Sequence, residues 1–431
     1  MNPVAKGFRA SILRFDAEGQ ALWARDGLLV IGRPPGQRTA QVLDVGDWST
    51  LAPKWPDLPI EDRRSQWLVP GFVDLHVHYP QTDVIASPAE GLLPWLERYT
   101  FPHERRFSDP AVASEAADFF FGELMRHGVT TALSFCTSHV ASVDAYMQAA
   151  QARGLRMIGG KVLQDQHSPD GLRDDTEQSL IDTEALIQRW HGVNRLGYAI
   201  TPRFVPTSSP AQLRGAGELA ARYPEVWVQS HVAENRDEVA WVTALYPKAR
   251  SYLSVYEQFG LLRERAVYAH GIYLDDDDRA LLRRCGAAIA VSPTSNLFLG
   301  SGFFDFVRGE SIAHGLASDV GGGMSFSPFA TMRAAFVVGR EGQTKEGTSL
   351  SPERLWWLHT AGAAQALGLG GVVGNVQVGA EADFLCLDPQ ATPLLARRIA
   401  QADTLSEALF AMLMLADERA VVWTHVAGAP A

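Results

Sequence analysis

Between residues 70 and 320, short β-rich runs alternate with helical stretches, and this alternation restricts the chain to few architectures. Eight runs follow in order: one ending at His78, then residues 129–135, 155–163, 195–201, 226–230, 266–269, 287–293 and 314–318. Helical patterns fill 111–127 after the first run, 178–190 after the third and 210–223 after the fourth. A strand that returns through a helix runs parallel to its predecessor, so the pattern predicts an α/β fold, a (β/α)8 TIM-type barrel.

The first run, Pro70-Gly71-Phe72-Val73-Asp74-Leu75-His76-Val77-His78, leads an apolar strand into two imidazoles one residue apart. Side chains at i and i+2 of a strand share a face, so the pair can grip a divalent transition metal from one side. His231, His270 and Asp319 follow the fifth, sixth and eighth runs. The C-terminal strand ends form the active face of such a barrel. Five candidate ligands therefore converge there.

With 431 residues, 46% of them hydrophobic, the chain can bury a large core and carry an accessory domain. A net charge of −11, with no basic cluster interleaved with aromatics, argues against nucleic-acid binding. Cys136, Cys285 and Cys386 lie far apart, which points to reduced thiols in a cytoplasmic setting and away from disulfides or a zinc ribbon. No apolar run reaches the ~18 residues of a membrane span, and the N-terminus lacks a signal-like apolar stretch. Residues 405–416 read as a buried helix. β-rich runs at 9–15, 27–31 and 40–45 are matched by others at 384–387 and 420–426. Residues 1–69 and 371–431 are thus expected to form one small β-sandwich domain, with the barrel over 70–370. The acidic run from Asp275 to Asp278 is expected to cap a helix continuing through Cys285.

Five segments carry a resemblance: the first run with its extension Tyr79-Pro80-Gln81, Thr201-Pro202-Arg203-Phe204, Ser230-His231-Val232-Ala233-Glu234-Asn235, Pro293-Thr294-Ser295-Asn296-Leu297, and Ser318-Asp319-Val320-Gly321-Gly322-Gly323. The chain resembles the guanine deaminase branch of the amidohydrolase superfamily, metallo-dependent hydrolases, from about Val69 to the last strand. The resemblance implies one zinc held by His76, His78, His231 and Asp319, with His270 near the metal and the nucleophilic water. It also implies a homodimer. The chain departs from the family at Leu75, where members often carry Thr, and at Gly271 and Ser292, where they often carry Cys. Lys161 would have to be carboxylated to bridge a second metal; it lies on the third strand, not the fourth, so a single metal is expected.

Hydrolytic deamination of guanine to xanthine and ammonia needs hydroxide at C2, which zinc supplies at neutral pH. Glu234, three residues past His231, is expected to carry the water proton to a ring nitrogen; alternatively it caps the helix at 236–245. Asp319 ligates the metal and takes the second proton, or serves as a ligand alone. Arg203 offers donors to a carbonyl and ring nitrogen, Phe204 a stacking face and Gln81 a group for the amide edge, with His231 and Asp319 also bordering the base. A surface ion pair for Arg203 and core packing for Phe204 remain open. Two other functions stay in view: deamination of another amino heterocycle (8-oxoguanine, a triazine or a pterin), and a non-catalytic scaffold on the same fold. The residues 164–175 suggest a loop that closes over substrate.

Overall fold

The computed structural model describes residues 5–341 and 346–430. Eight parallel strands form the barrel: Phe72–His78, Val129–Phe135, Arg156–Gly160, Gly197–Pro202, Trp227–Val232, Ala266–His270, Ala288–Val291 and His314–Leu316. The run at 155–163 is broken at Lys161, and Val162–Leu163 pairs separately with the fourth strand. Only glycine fits just before the break, because a Cβ at Gly160 would lie 1.8 Å from the Ala199 carbonyl oxygen. Closure joins the first strand to the segment after the eighth. His78 N–H donates to Val320 O at 2.8 Å, and Asp319 N–H donates to His76 O at 2.9 Å.

Expected helices occupy Pro110–Arg126, Thr176–Trp190 and Pro210–Arg222. Asp109, Asp175 and Ser209 cap them by accepting from first-turn amides. The acidic run behaves as expected: Asp275 and Asp278 form a capping box on the helix Asp276–Cys285. Inside the barrel, Val73, Leu75, Leu133, Ile158, Ala199, Trp227, Val267 and Ala288 pack together. Leu75 fits because residue 315 is glycine, whose Cβ would meet Leu75 Cδ1 at 2.7 Å. The helix Ala361–Ala366 adds Ala363 and Ala364 to this cluster, and Trp227 Nε1 donates to Leu367 O at 2.8 Å.

Both termini build a second sheet, one continuous seven-stranded ladder. Its strand Ile60–Pro70, not foreseen from composition, leads directly into the barrel. Arg195, Glu381, Asp383 and Arg156 join the sheet to the barrel in a buried ion cluster. Between its strands Phe384–Leu387 and Val421–Val426 the chain detours through helices Pro393–Ile399 and Leu405–Leu415. The second docks on the barrel: Leu409 O accepts from Trp356 Nε1, and the Arg333 guanidinium donates to carbonyls of Leu413, Met414 and Ala416. No helix among the described residues is long and apolar enough to cross a membrane.

Candidate active site

The strand ends bring the five candidate ligands together. His78 Nε2 lies 3.2 Å from both His76 Nε2 and His231 Nε2, and Asp319 Oδ1 lies 3.1 Å from His76 Nε2 and 3.5 Å from His78 Nε2. His270 Nε2 sits 3.7 Å from Asp319 Oδ2 and 3.4 Å from Glu234 Oε2. His270 closes its strand and His231 is the last residue but one of its own, whereas Asp319 lies three residues beyond the eighth. His270 and Asp319 have φ of 73° and 51°, a left-handed backbone that non-glycine residues adopt only under constraint. Gly323 permits the turn after Asp319: a Cβ would stand 1.8 Å from Ser318 O.

Neighbouring groups set the tautomers. His231 Nδ1–H donates to Arg203 O at 2.6 Å, and His270 Nδ1–H donates to Asn296 Oδ1 at 2.8 Å. Each ring is left with a lone pair on Nε2, and His270 Nε2 has no protein hydrogen-bond partner. Converging buried nitrogen lone pairs beside a carboxylate make a donor set that fits a divalent cation. Burial lowers the pKa of His78 and His231 well below the usual range, which favours the neutral ligand form. Burial pushes Asp319 up, but the charge and hydrogen bond of His76, then His270 and His78, outweigh it and hold the carboxyl well below the usual range. Beneath the ligands, buried Asp74 accepts from His76 N–H at 3.2 Å, Ser318 N–H at 3.0 Å and Ser318 Oγ–H at 2.5 Å. Burial raises its pKa to about 6 despite these bonds.

Glu234 faces the cluster and does not cap the following helix. That cap is Asn235, in a capping box with Glu238. Glu234 Oε1 accepts from Ser301 Oγ–H at 3.0 Å, and burial, followed by the Asp319 charge, raises its pKa to about 8. Arg203 and Phe204 follow the fourth strand, and with Gln81 they line a pocket of about 430 Å³ beside His78, His231, Glu234, His270 and Asp319. Arg203 makes no surface ion pair. Its Nη1 and Nη2 donate to Glu104 at 2.7 and 3.2 Å, and both residues are buried. Phe204 meets Trp241 at 6.0 Å, edge to face.

Sequence reasoning missed Glu104 and the apolar pocket walls Leu92, Trp95, Leu96 and Leu299. Lys161 is paired with Asp174 at 2.6 Å, which occupies its ammonium. Asp174 also accepts from Gln164 N–H, tying both ends of the 164–175 loop together.

An amidohydrolase family model matches residues 67–427. Guanine deaminase of Escherichia coli is 42% identical over 97% of this chain and 92% of its own length. Human guanine deaminase is 33% identical over 91% of this chain and 88% of its own length. The solved E. coli guanine deaminase superposes with a TM-score of 0.93 at 40% identity, covering 99% of each chain. Guanine deaminase of Clostridium acetobutylicum, solved with guanine bound in its active site, gives 0.90 at 28% identity over 99% of each chain. Barrel, site geometry and near full-length similarity agree: the chain belongs to the amidohydrolase family, among its guanine deaminases.

Proposed function

We propose that this chain hydrolyses guanine to xanthine and ammonia, with one zinc held by His76, His78, His231 and Asp319. The observation that carries the reading is one buried pocket in which this donor set meets a separate carboxyl, Glu234, and a guanidinium, Arg203. When bound, zinc lowers the pKa of water from ~15.7 toward ~7 and so provides a nucleophile at neutral pH.

The residues divide the remaining work. His270 Nε2, its lone pair fixed by Asn296, accepts a hydrogen bond from the attacking water. Glu234 takes a proton from that water and delivers it to purine N3, the unprotonated ring nitrogen onto which attack at C2 moves electrons. Asp319 receives the second proton and returns it to the C2 amine, which leaves as ammonia while the carbonyl of xanthine forms. Arg203 and Gln81 donate to the O6 and N7 edge, Phe204 packs on the ring, and His231 and Asp319 border the base from the metal side.

The reading extends to purine catabolism in the cytoplasm by a homodimer, as the resemblance implies; light scattering that returned a monomeric mass would remove the dimer. It treats residues 70–370 as the catalytic barrel and 1–69 with 371–431 as its accessory domain. The test is ammonia release by zinc-loaded protein from guanine, adenine, 8-oxoguanine and melamine, with Glu234→Gln as control. Selective turnover of guanine, reduced about 10²–10⁴-fold in the variant, is expected. Activity confined to another heterocycle would overturn the substrate, and full activity in Glu234→Gln would overturn the proton route.

A further inference from the structure

Glu104 belongs to none of the sequence motifs, yet it is fully buried beside the pocket and touches both polar recognition side chains. It ends the short helix Phe101–Glu104, which follows a π-helical turn at Leu96–Thr100. Its Oε2 accepts from Arg203 Nη1 at 2.7 Å, and its Oε1 accepts from Arg203 Nη2 at 3.2 Å and from Gln81 Nε2 at 2.9 Å. Phe101 lies against the same guanidinium, 5.1 Å from ring centroid to Cζ. The carboxylate thus grips one edge of Arg203 while an aromatic ring covers a face.

The effect on Gln81 is one of polarity. A side-chain amide can turn over and exchange its donor for its acceptor. Here the turn is blocked, because an ionised carboxylate can only accept, so Nε2 must face Glu104. The Gly321 N–H, which can only donate, meets Oε1 at 3.3 Å, a longer and weaker contact. Gln81 keeps a spare N–H, and Arg203 keeps the N–H groups that Glu104 does not use.

We infer that Glu104 is a positioning residue for specificity: by locking Arg203 and Gln81 it gives the pocket a donor-only recognition wall that selects a 6-oxo purine over a 6-amino purine. This rests on the guanine reading above and deepens it. A carbonyl O6 beside ring N7 offers acceptors to that wall. A 6-amino group brings N–H against N–H, leaving buried donors unpaired on both sides, the kind of mismatch that discriminates most strongly between analogues. Glu104 touches no reacting atom, so its effect should reach KM and selectivity before kcat.

The experiment compares kcat/KM for guanine and 2,6-diaminopurine, which share the C2 amine and differ at C6. In wild type, turnover of guanine tests the functional reading by itself. In Glu104→Gln, residue 104 can donate or accept and Gln81 is free to turn. The guanine-to-diaminopurine ratio should then fall about tenfold or more, mainly through KM for guanine. Glu104→Asp, which keeps the carboxylate, should recover part of the ratio. General destabilisation would lower both substrates together and leave the ratio intact. A ratio that falls less than about threefold, with guanine still turned over by wild type, overturns the inference. If Glu104→Gln fails to fold, Gln81→Met removes the same donor at similar length; an unchanged ratio there overturns it equally.

Discussion

Removal of the Asp74 carboxylate tests how the two halves of the proposed metal site are held together. Asp74 is 1% exposed and accepts from His76 N–H in its own strand and from Ser318 N–H and Oγ–H across the barrel closure. Those two neighbours flank or carry His76 and Asp319. In Asp74→Ala, two backbone N–H groups lose their acceptor inside a dry core. Each orphaned group costs about 1–3 kcal/mol, so the expected loss is about 2–6 kcal/mol. Asp74→Asn keeps Oδ1 for both amides, and the Ser318 hydroxyl can rotate to accept from the new Nδ2–H. Its expected loss is about 1 kcal/mol. Urea unfolding of metal-free protein reads this difference, and chelator competition reads zinc affinity, which should fall about 10–100-fold in the alanine variant. Equal unfolding midpoints for the two variants, or unchanged zinc affinity in Asp74→Ala, would refute the argument.

Stripping the metal by chelation should abolish deamination and lower the thermal midpoint, because binding free energy adds to folding free energy; readdition of zinc should restore both. A midpoint identical with and without metal would show that the donor set does not bind it in the folded state. Glu381 supplies a pH prediction. Burial raises its pKa, but the Arg156 hydrogen bond and Arg195 charge overcome this and lower it from 4.5. A carboxyl depressed on folding stabilises the fold above its unfolded pKa and loses that contribution as pH falls through the folded value. Stability should therefore decline below about pH 4.5, and Glu381→Gln should flatten that part of the curve while lowering stability at pH 7. An acid limb of unchanged slope in the variant would refute the assignment.

The barrel was legible because its signals are local. A strand ending in His76-Val77-His78 places both rings on one face by geometry alone, and Asp275 with Asp278 announces a helix start in four residues. The features that escaped notice depended on distant partners. Residues 61–64, Glu-Asp-Arg-Arg, have the composition of a loop, yet they lie in a strand whose start runs parallel to the N-terminal one. Glu104 sits in Phe-Pro-His-Glu-Arg-Arg, a charged stretch in which nothing local separates the buried carboxylate from its exposed neighbours. Its role exists only because Arg203, ninety-nine positions on, reaches it.

Arg203 shows why such distant partnerships matter. Its carbonyl orients His231, while its side chain reaches Glu104 and the pocket. The first function belongs to the main chain, so no side-chain replacement at 203 removes it. The second belongs wholly to the side chain and its clamp. Recognition can therefore be altered at 81, 104 and 203 while the tautomer of His231 stays fixed from the same strand end. A barrel built this way can exchange one amino heterocycle for another without rebuilding the groups that carry out hydrolysis. Selectivity measured on Glu104 and Gln81 variants, set beside zinc affinity measured on the same proteins, separates the two systems: the first should move and the second should not.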